Sequence, residues 1–275
     1  MSPLISAQKL KQLTQSQDVV ILDASISFKI PAEMEKDTTN KILRAQRFDY
    51  DNEFCNLDSP LPHMMPSEQR FNQLAKELGI NADSVIVVYD NSGTLASPRA
   101  WWMFKAMGHK EVYVLNGGLT EWKNAGFETA LQYTPAQKLG NFDGQLDPRY
   151  FLGADDVLAA IENPRNLTVD ARSLARFNAE VPEPREGIRS GHIPNSVCLP
   201  FAELINGVRL KDVEQLKPII AGILGVDKQQ YIFSCGSGVT AAIVLLAAYL
   251  CGYENLSIYD GAWTEWGQRN DLPIE

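Results

Sequence analysis

Short apolar runs alternate along the chain with longer stretches whose apolar residues recur every three or four positions. The runs at 19–22, 85–88 and 231–233 are continuously apolar and rich in β-branched or aromatic residues, as buried strands are. The stretch at 67–79 begins with a serine, carries apolar residues at helical spacing and ends with a glycine, which predicts a helix. Continuously apolar strands interleaved with helices indicate a parallel sheet covered by helices on both faces. The pattern therefore predicts an α/β fold.

The pattern of the first half returns in the second half. The first half is predicted to contain a strand ending at Asp23, a helix at 67–79, a strand at 85–89, a helix near 98–107 and a strand at 111–115. VVILDAS at 19–25 matches LTVDARS at 167–173, and NGGLTEW at 116–122 matches DGAWTEW at 260–266. The partners keep nearly the same separation, and so long a period indicates duplicated domains rather than a solenoid.

The region between the two repeats marks the expected domain boundary. Residues 135–150 contain prolines and glycines and have neither helical nor strand periodicity, which predicts a linker. We therefore expect two tandem domains, at 1–134 and 151–275, each a mainly parallel sheet flanked by helices. A length of 275 residues agrees with about two domains.

Composition and charge exclude several classes of partner. The chain carries 34 acidic and 25 basic residues, a net charge of −9, and no run of basic residues, so we expect no nucleic-acid or membrane partner. No apolar run approaches the ~20 residues that span a bilayer, and the first residues lack the pattern of a signal peptide. The four cysteines show no metal-ligand spacing, which favours reduced thiols in the cytoplasm and predicts no metal.

Cys235 is the strongest candidate for chemistry. It follows the apolar run at 231–233 and opens the small-residue turn CGSGVT at 235–240, which leads into an apolar helix. A helix N-terminus has unpaired N–H groups and a partial positive charge, and both favour the nucleophilic thiolate. Gly236 and Gly238 allow several N–H groups to turn inward toward a sulfur or a small anion. The turn predicts a nucleophilic thiol within reach of solvent, with a buried structural cysteine as the alternative.

The internal repeat separates the roles of the two halves. At the position of Cys235 the first half carries Asp90, which cannot serve as a thiol nucleophile. The second domain is therefore expected to be catalytic, while the first keeps the fold and lends side chains to a cleft. Such clefts form at the carboxyl ends of parallel strands and at domain interfaces.

The motifs of the whole chain are similar to those of the rhodanese superfamily of sulfurtransferases, and more narrowly to its members that use 3-mercaptopyruvate. The similarity rests on CGSGVT at 235–240 together with SPRAWWMF at 97–104, DAR at 170–172, RF at 176–177, PEPR at 182–185, GHIP at 191–194 and YDG at 259–261. One departure is LRAQRF at 43–48, where a HIPG-type segment is usual. That departure lies in the half expected to be non-catalytic.

The resemblance implies a ping-pong transfer of sulfur without a cofactor. Cys235 would take the sulfur of a 2-keto acid, 3-mercaptopyruvate, release pyruvate, and pass the sulfur to a small thiol, thioredoxin or cyanide. In similar thiosulfate enzymes Arg and Lys usually follow the cysteine, whereas Gly236 and Ser237 are uncharged here. An uncharged turn favours a monoanionic keto acid over a dianion, and a thiosulfate sulfurtransferase remains the alternative.

The resemblance also implies the residues that bind the donor. Arg176 and Arg185 would hold its carboxylate and keto oxygen, because a guanidinium fork matches a carboxylate. The alternative is a solvated loop with incidental arginines, since several glutamates lie nearby. The turn residues expected to line the substrate are Gly236, Gly238, Val239 and Thr240.

Hydroxyl and imidazole groups complete the expected site. Ser237 and Thr240 would donate hydrogen bonds to the leaving enolate or to sulfur, with helix capping as the alternative role. The resemblance further implies a proton relay from Ser237 through His63 to Asp51. His109 and His192, by contrast, are expected to make structural hydrogen bonds.

Two other functions are less compatible with the sequence. A phosphatase of a related fold would need an arginine six residues after the cysteine, where this chain has Ala241. A non-enzymatic rhodanese-like binding module would commonly lose the cysteine, as the first half has done at Asp90. Among the remaining residues, Arg172 is expected to form salt bridges within its domain, and Cys55, in a polar loop, is expected at the surface.

Overall fold

The computed structural model describes residues 2–31, 33–226 and 228–275, and these form two compact units. Unit 1 comprises the described residues up to Asp58, Met65–Asp147 and Asn206–Leu210. Unit 2 comprises Ser59–Met64, Pro148–Ile205 and the described residues of Lys211–Glu275. Each half of the chain therefore gives one short segment to the unit formed mainly by the other half.

Unit 1 is built on a five-stranded parallel sheet. Strands of the first half are β1 (Leu4–Ile5), β2 (Val19–Asp23), β3 (Lys41–Ile42), β4 (Gln46–Arg47), β5 (Val85–Tyr89), β6 (Val112–Leu115) and β7 (Thr129–Ala130). Its helices are α1 (Ala7–Ser16), α2 (Glu68–Glu77), α3 (Ser97–Ala106) and α4 (Gly118–Asn124). The sheet order is β1-β6-β5-β2-β4, and β3 pairs antiparallel with β7. Asp23 lies opposite Tyr89, so β2 and β5 end at one edge, where Asp90 follows.

Unit 2 repeats this arrangement. Strands of the second half are β8 (Phe151–Leu152), β9 (Asn166–Asp170), β10 (Val197–Cys198), β11 (Ile205–Asn206), β12 (Arg209–Leu210), β13 (Gln230–Ser234) and β14 (Leu256–Tyr259). Its helices are α5 (Ala154–Ile161), α6 (Leu174–Phe177), α7 (Val213–Leu224), α8 (Ala241–Leu250) and α9 (Ala262–Trp266), with a 3₁₀ turn at Phe201–Leu204. The parallel sheet has the order β8-β14-β13-β9-β10, which corresponds strand by strand to that of unit 1. The predicted fold of two α/β domains with mainly parallel sheets is confirmed.

Local sequence explains the elements that lead to each turn. The hydroxyl of Ser67 accepts a hydrogen bond from the Arg70 N–H and caps α2, as the sequence predicted. Helix α8 is buried along Ala241–Ala248, which fits a helix that is apolar on all sides. The turn between β13 and α8 is therefore held between two largely buried elements.

Candidate active site

The turn at 235–240 directs a backbone N–H at the sulfur of Cys235. Cys235 follows β13, and the N–H of Gly238 donates a hydrogen bond to Cys235 Sγ over 3.1 Å. Gly238 has φ +77°, in the left-handed region that glycine adopts without strain. This N–H and the N-terminus of α8 both favour negative charge on the sulfur. The geometry suits a thiolate or a persulfide anion.

Helix α9 fixes the other side of the turn. The N–H of Trp263 donates to the carbonyl of Cys235 over 2.9 Å, and the N–H of Thr264 donates to the carbonyl of Gly236 over 3.0 Å. The Thr264 hydroxyl donates to the same Gly236 carbonyl over 2.6 Å. The carbonyl groups of the turn thus bond to α9. These contacts were not predicted from the sequence, although the repeat of 116–122 at 260–266 pointed to this segment.

Cys235 is more deeply buried than the sequence analysis expected. Only 2% of its surface is exposed, and Val239 in the same turn is 1% exposed. The expectation of a thiol within reach of solvent is wrong, because the turn curls back until the Gly238 N–H contacts the sulfur. Gly236 and Thr240 are the members of the turn that remain half-buried, so they form its more open part.

Arg172 supports the site structurally. Its Nε and Nη2 atoms bind the carboxylate of Asp170 at the end of β9, and its Nη1 donates to Glu183 Oε1 over 2.8 Å. The guanidinium carbon also lies 4.3 Å from the ring centroid of Trp263. The side chain is only 1% exposed. The expected salt bridges within the domain are confirmed for Arg172.

Arg176 lies directly beside the turn. Its Nε donates to Glu183 Oε1 over 3.1 Å, and its Nη2 forms a second hydrogen bond with Glu183 Oε2. A Cβ atom built on Gly236 would stand 3.4 Å from Arg176 Nη2. The guanidinium therefore packs against the position that directly follows the cysteine. Its side chain keeps 21% exposure, so it is accessible to a ligand.

Arg185 approaches the turn through Thr264. Its Nη1 donates to Thr264 Oγ1 over 2.5 Å, and Thr264 in turn donates to the Gly236 carbonyl. Among the residues that the structure describes, no carboxylate lies within ion-pair distance of Arg185. The structure thus places Arg176 against Gly236 and links Arg185 to the same residue through Thr264.

The two hydroxyl groups of the turn differ from a capping arrangement. Thr240 is the residue before α8, yet its side chain makes no capping hydrogen bond. Ser237 is 7% exposed, and its hydroxyl has no hydrogen-bond partner among the described residues. Helix capping, the alternative role, therefore does not account for either hydroxyl. A buried hydroxyl without a protein partner is free to bind a ligand.

The members of the predicted relay lie in different units. His63 is buried in the segment Ser59–Met64, which belongs to unit 2 together with Ser237. Asp51 belongs to unit 1, where its Oδ2 accepts hydrogen bonds from the Ser27 N–H over 3.0 Å and from the Ser27 hydroxyl over 3.2 Å. The relay from Ser237 through His63 to Asp51 stays a prediction.

The other singled-out residues serve the fold. His109 Nε2 lies 2.8 Å from the Ser84 carbonyl, and His192 Nδ1 lies 2.9 Å from the Phe177 carbonyl, as expected of structural histidines. Cys55 is buried, which corrects its predicted surface position. Its thiol donates to the carbonyl of Asp51, so this polar loop folds back on itself.

The equivalent turn of unit 1 is filled by its own side chain. The Asp90 carboxylate accepts hydrogen bonds from the N–H groups of Leu95, Ala96 and Ser97 over 2.5–2.9 Å. Burial raises the pKa of Asp90 to about 7, and these three hydrogen bonds oppose that rise. The turn is also covered, since the Thr94 N–H donates to the carbonyl of Val208. At the position of Cys235, unit 1 therefore has a buried carboxyl group and no thiol.

Metal-ligating clusters and membrane-spanning helices are absent from the described residues. In the described part of the chain, no three His, Cys, Asp or Glu side chains are grouped so that they could hold a metal ion. The helices of that part are all too short or too polar to cross a membrane.

Comparisons with known proteins agree with this architecture. The model of the rhodanese-like domain matches residues 6–125 and 153–269. The chain is 37% identical to 3-mercaptopyruvate sulfurtransferase of Escherichia coli strain K12, across 98% of this chain and 97% of that protein. It is 35% identical to the Homo sapiens enzyme of the same name, across 96% and 90%. The crystal structure of SseA from Escherichia coli, described as a 3-mercaptopyruvate sulfotransferase, superposes with a TM-score of 0.82 at 34% identity, covering 96% of this chain and 99% of SseA.

Proposed function

The chain belongs to the rhodanese-like family and is a sulfur-transferring enzyme, and we propose that it moves the sulfur of 3-mercaptopyruvate through a persulfide on Cys235. The observation that carries this proposal is the Gly238 N–H held 3.1 Å from Cys235 Sγ at the N-terminus of α8. A hydrogen-bond donor fixed on the sulfur stabilises the anion both before and after it gains a second sulfur atom.

The first half-reaction forms the persulfide. The Cys235 thiolate attacks the sulfur of the donor, a sulfur–sulfur bond forms, and the carbon–sulfur bond of the donor breaks. The bonding electron pair leaves with the carbon as the enolate of pyruvate, which then takes up a proton. Arg176 and Arg185 bind the carboxylate and keto oxygen, and the Ser237 hydroxyl donates a hydrogen bond to the enolate oxygen. His63 and Asp51 are the candidates for supplying the proton.

The second half-reaction restores the enzyme. An acceptor thiolate, from a small thiol or from reduced thioredoxin, attacks the outer sulfur, and the sulfur–sulfur bond of the persulfide breaks. Cyanide would act in the same way and leave as thiocyanate. The electron pair returns to Cys235, which is again a thiolate. No redox cofactor enters this balance.

The turn favours a keto acid over thiosulfate. Gly236 and Ser237 add no charge beside the sulfur, whereas Gly238, Val239 and Thr240 shape the turn around it. Thiosulfate is the second candidate donor, since a relative from Arabidopsis thaliana, 36% identical over 99% of this chain, is named thiosulfate/3-mercaptopyruvate sulfurtransferase. We expect a higher kcat/KM for 3-mercaptopyruvate than for thiosulfate.

The two halves of the chain have different proposed roles. Residues 151–275 would carry catalysis, and residues 1–134 would form the non-catalytic half, because Asp90 fills its own turn. All four cysteines are free thiols, which supports a reducing compartment such as the cytoplasm.

Mass spectrometry tests the covalent step. The protein is incubated with 3-mercaptopyruvate without an acceptor, then passed through a desalting column and weighed intact. We expect the mass of one added sulfur atom on the wild type and on Cys251→Ser, a control at a half-buried thiol, but not on Cys235→Ser. No added sulfur on the wild type would leave a binding module as the better description. Steady-state turnover with the two donors then tests the preference.

A further inference from the structure

Glu183 is a buried carboxylate to which the proposed function gives no role. Its side chain is 2% exposed, although it lies in a segment that is largely exposed. Glu183 Oε1 accepts hydrogen bonds from Arg172 Nη1 and Arg176 Nε, and Oε2 accepts from Arg176 Nη2. A buried carboxylate needs this degree of pairing to be tolerated. Glu183 therefore joins the structural arginine to the arginine that faces the turn.

The bidentate contact fixes where Arg176 lies. Both bonded nitrogen atoms are on one edge of the guanidinium, so its plane is set by the carboxylate plane. Nη1 of Arg176 takes no part in the contact with Glu183 and stands 3.9 Å from a Cβ built on Gly236. That nitrogen lies beside Gly236, the residue after the cysteine, where it is available to a ligand. The contact with Glu183 fixes its position.

The same contact determines the charge that a ligand meets. Asp170 balances Arg172, and Glu183 balances Arg176, each by a direct ion pair. Arg185 bonds only to the Thr264 hydroxyl among the described residues. Counted apart from the Cys235 thiolate, the three arginines and two carboxylates therefore keep one uncompensated positive charge. One positive charge neutralises a monoanion but leaves a dianion with an unpaired negative charge in a partly desolvated site.

We propose that Glu183 is a positioning and specificity-determining residue: it orients Arg176 beside the turn and cancels its charge, so that the site selects monoanionic keto-acid donors over dianionic donors such as thiosulfate. This inference rests on the proposed function and adds the origin of its donor preference.

The test compares Glu183→Gln with Glu180→Gln. Glu180 lies three residues away in the same segment, is exposed and bonds to Asn178, so its substitution makes the same change in total charge without touching an arginine. We expect Glu183→Gln to raise the ratio of kcat/KM for thiosulfate to kcat/KM for 3-mercaptopyruvate by at least tenfold. Glu180→Gln should leave that ratio within twofold of the wild type. The ratio does not depend on the fraction of folded enzyme, so partial unfolding does not affect it.

A third variant separates position from charge. Glu183→Asp keeps the negative charge but is shorter, and it cannot hold both Arg172 and Arg176 in the same way. We expect a higher KM for 3-mercaptopyruvate in Glu183→Asp with little change in the donor ratio. A donor ratio in Glu183→Gln equal to that in Glu180→Gln would overturn the inference.

The wild type provides a measurement that does not depend on the folding of a variant. Pyruvate, a monoanion, should inhibit persulfide formation at a concentration at least tenfold lower than sulfate, a dianion of inert chemistry. Equal inhibition by both anions would contradict the single uncompensated charge. Failure of the proposed function is distinct, because the wild type would then form no persulfide with 3-mercaptopyruvate.

Discussion

Gly238 offers the most direct test of the anion-stabilising turn. Its φ of +77° lies in the region where a residue with a Cβ costs roughly 1–2 kcal/mol. Gly238→Ala must either keep that conformation and lose this much stability, or relax and turn its N–H away from Cys235 Sγ. Hydrogen bonds to charged groups contribute about 1.5–3 kcal/mol. Relaxation would therefore slow persulfide formation by roughly 10- to 100-fold, since about 1.4 kcal/mol corresponds to a tenfold change.

Gly236→Ala is the matched control for this experiment. Gly236 does not have a left-handed φ, and its new Cβ would meet Arg176 Nη2 at 3.4 Å, an ordinary contact. Rapid mixing with saturating 3-mercaptopyruvate gives the rate of persulfide formation for both variants, and thermal unfolding gives their stability. We expect Gly238→Ala to lose either stability or rate by these amounts, and Gly236→Ala to lose little of either. Two variants with equal losses, or a Gly238→Ala variant identical to the wild type, would refute the role of this N–H.

Three further predictions concern residues around the two turns. Burial raises the pKa of Asp90 to about 7. The folded protein therefore binds the Asp90 proton more tightly than the unfolded chain does. This contribution to the free energy of unfolding is full below about pH 4 and is lost as the pH rises to about 7. Urea titrations should therefore show Asp90→Asn gaining about 2–3 kcal/mol relative to the wild type between pH 5 and 8, and a constant difference would contradict this. Arg172→Met leaves buried Asp170 unpaired and should cost about 3–5 kcal/mol of unfolding free energy in the same titration, whereas a loss below about 1 kcal/mol would show that the pair is dispensable. Thr264→Val removes the link between Arg185 and the Gly236 carbonyl and should raise the KM for 3-mercaptopyruvate several-fold; Thr264→Ser should restore it, and equal KM values for both variants would argue against the link.

The fold was predictable because its signals are local and repeated. The continuous apolar residues of β2, β5 and β13 form buried parallel strands, and the serine before α2 caps that helix as expected. The segments 59–64 and 206–210 were not predictable in the same way, since each belongs to the unit formed mainly by the other half. No periodicity within five or six residues reveals which core they join. Cys55 was misplaced for a similar reason, because a polar loop gives no signal that it folds over its own thiol.

The parts of the site that depend on backbone geometry were predictable from the sequence, whereas those that depend on the burial of a side chain were not. Two glycines after a cysteine indicated an N–H directed at the sulfur, and Gly238 provides one. Glutamates near Arg176 and Arg185 favoured a solvated loop, yet the Glu183 carboxylate is buried and binds two arginines. A sequence gives the charge of a neighbouring residue but not its burial. Glu183 is buried, so it indicates an ordered arginine cluster and not a solvated loop. Thr264 is remote in sequence from both Arg185 and Gly236, so its link between them could not be inferred.

The two turns show how one fold supports opposite outcomes. In unit 1 the carboxyl group of Asp90 accepts hydrogen bonds from three N–H groups, so the group that the turn binds is permanently part of the protein. In unit 2 the sulfur of Cys235 takes the Gly238 N–H, and the Ser237 hydroxyl has no partner among the described residues. A carboxylate cannot gain a transferable atom, whereas a thiolate can gain one sulfur and remain an anion. The turn of unit 1 is therefore structural, because Asp90 occupies its N–H donors. The turn of unit 2 leaves the Ser237 hydroxyl available for the negative charge of the proposed substrate.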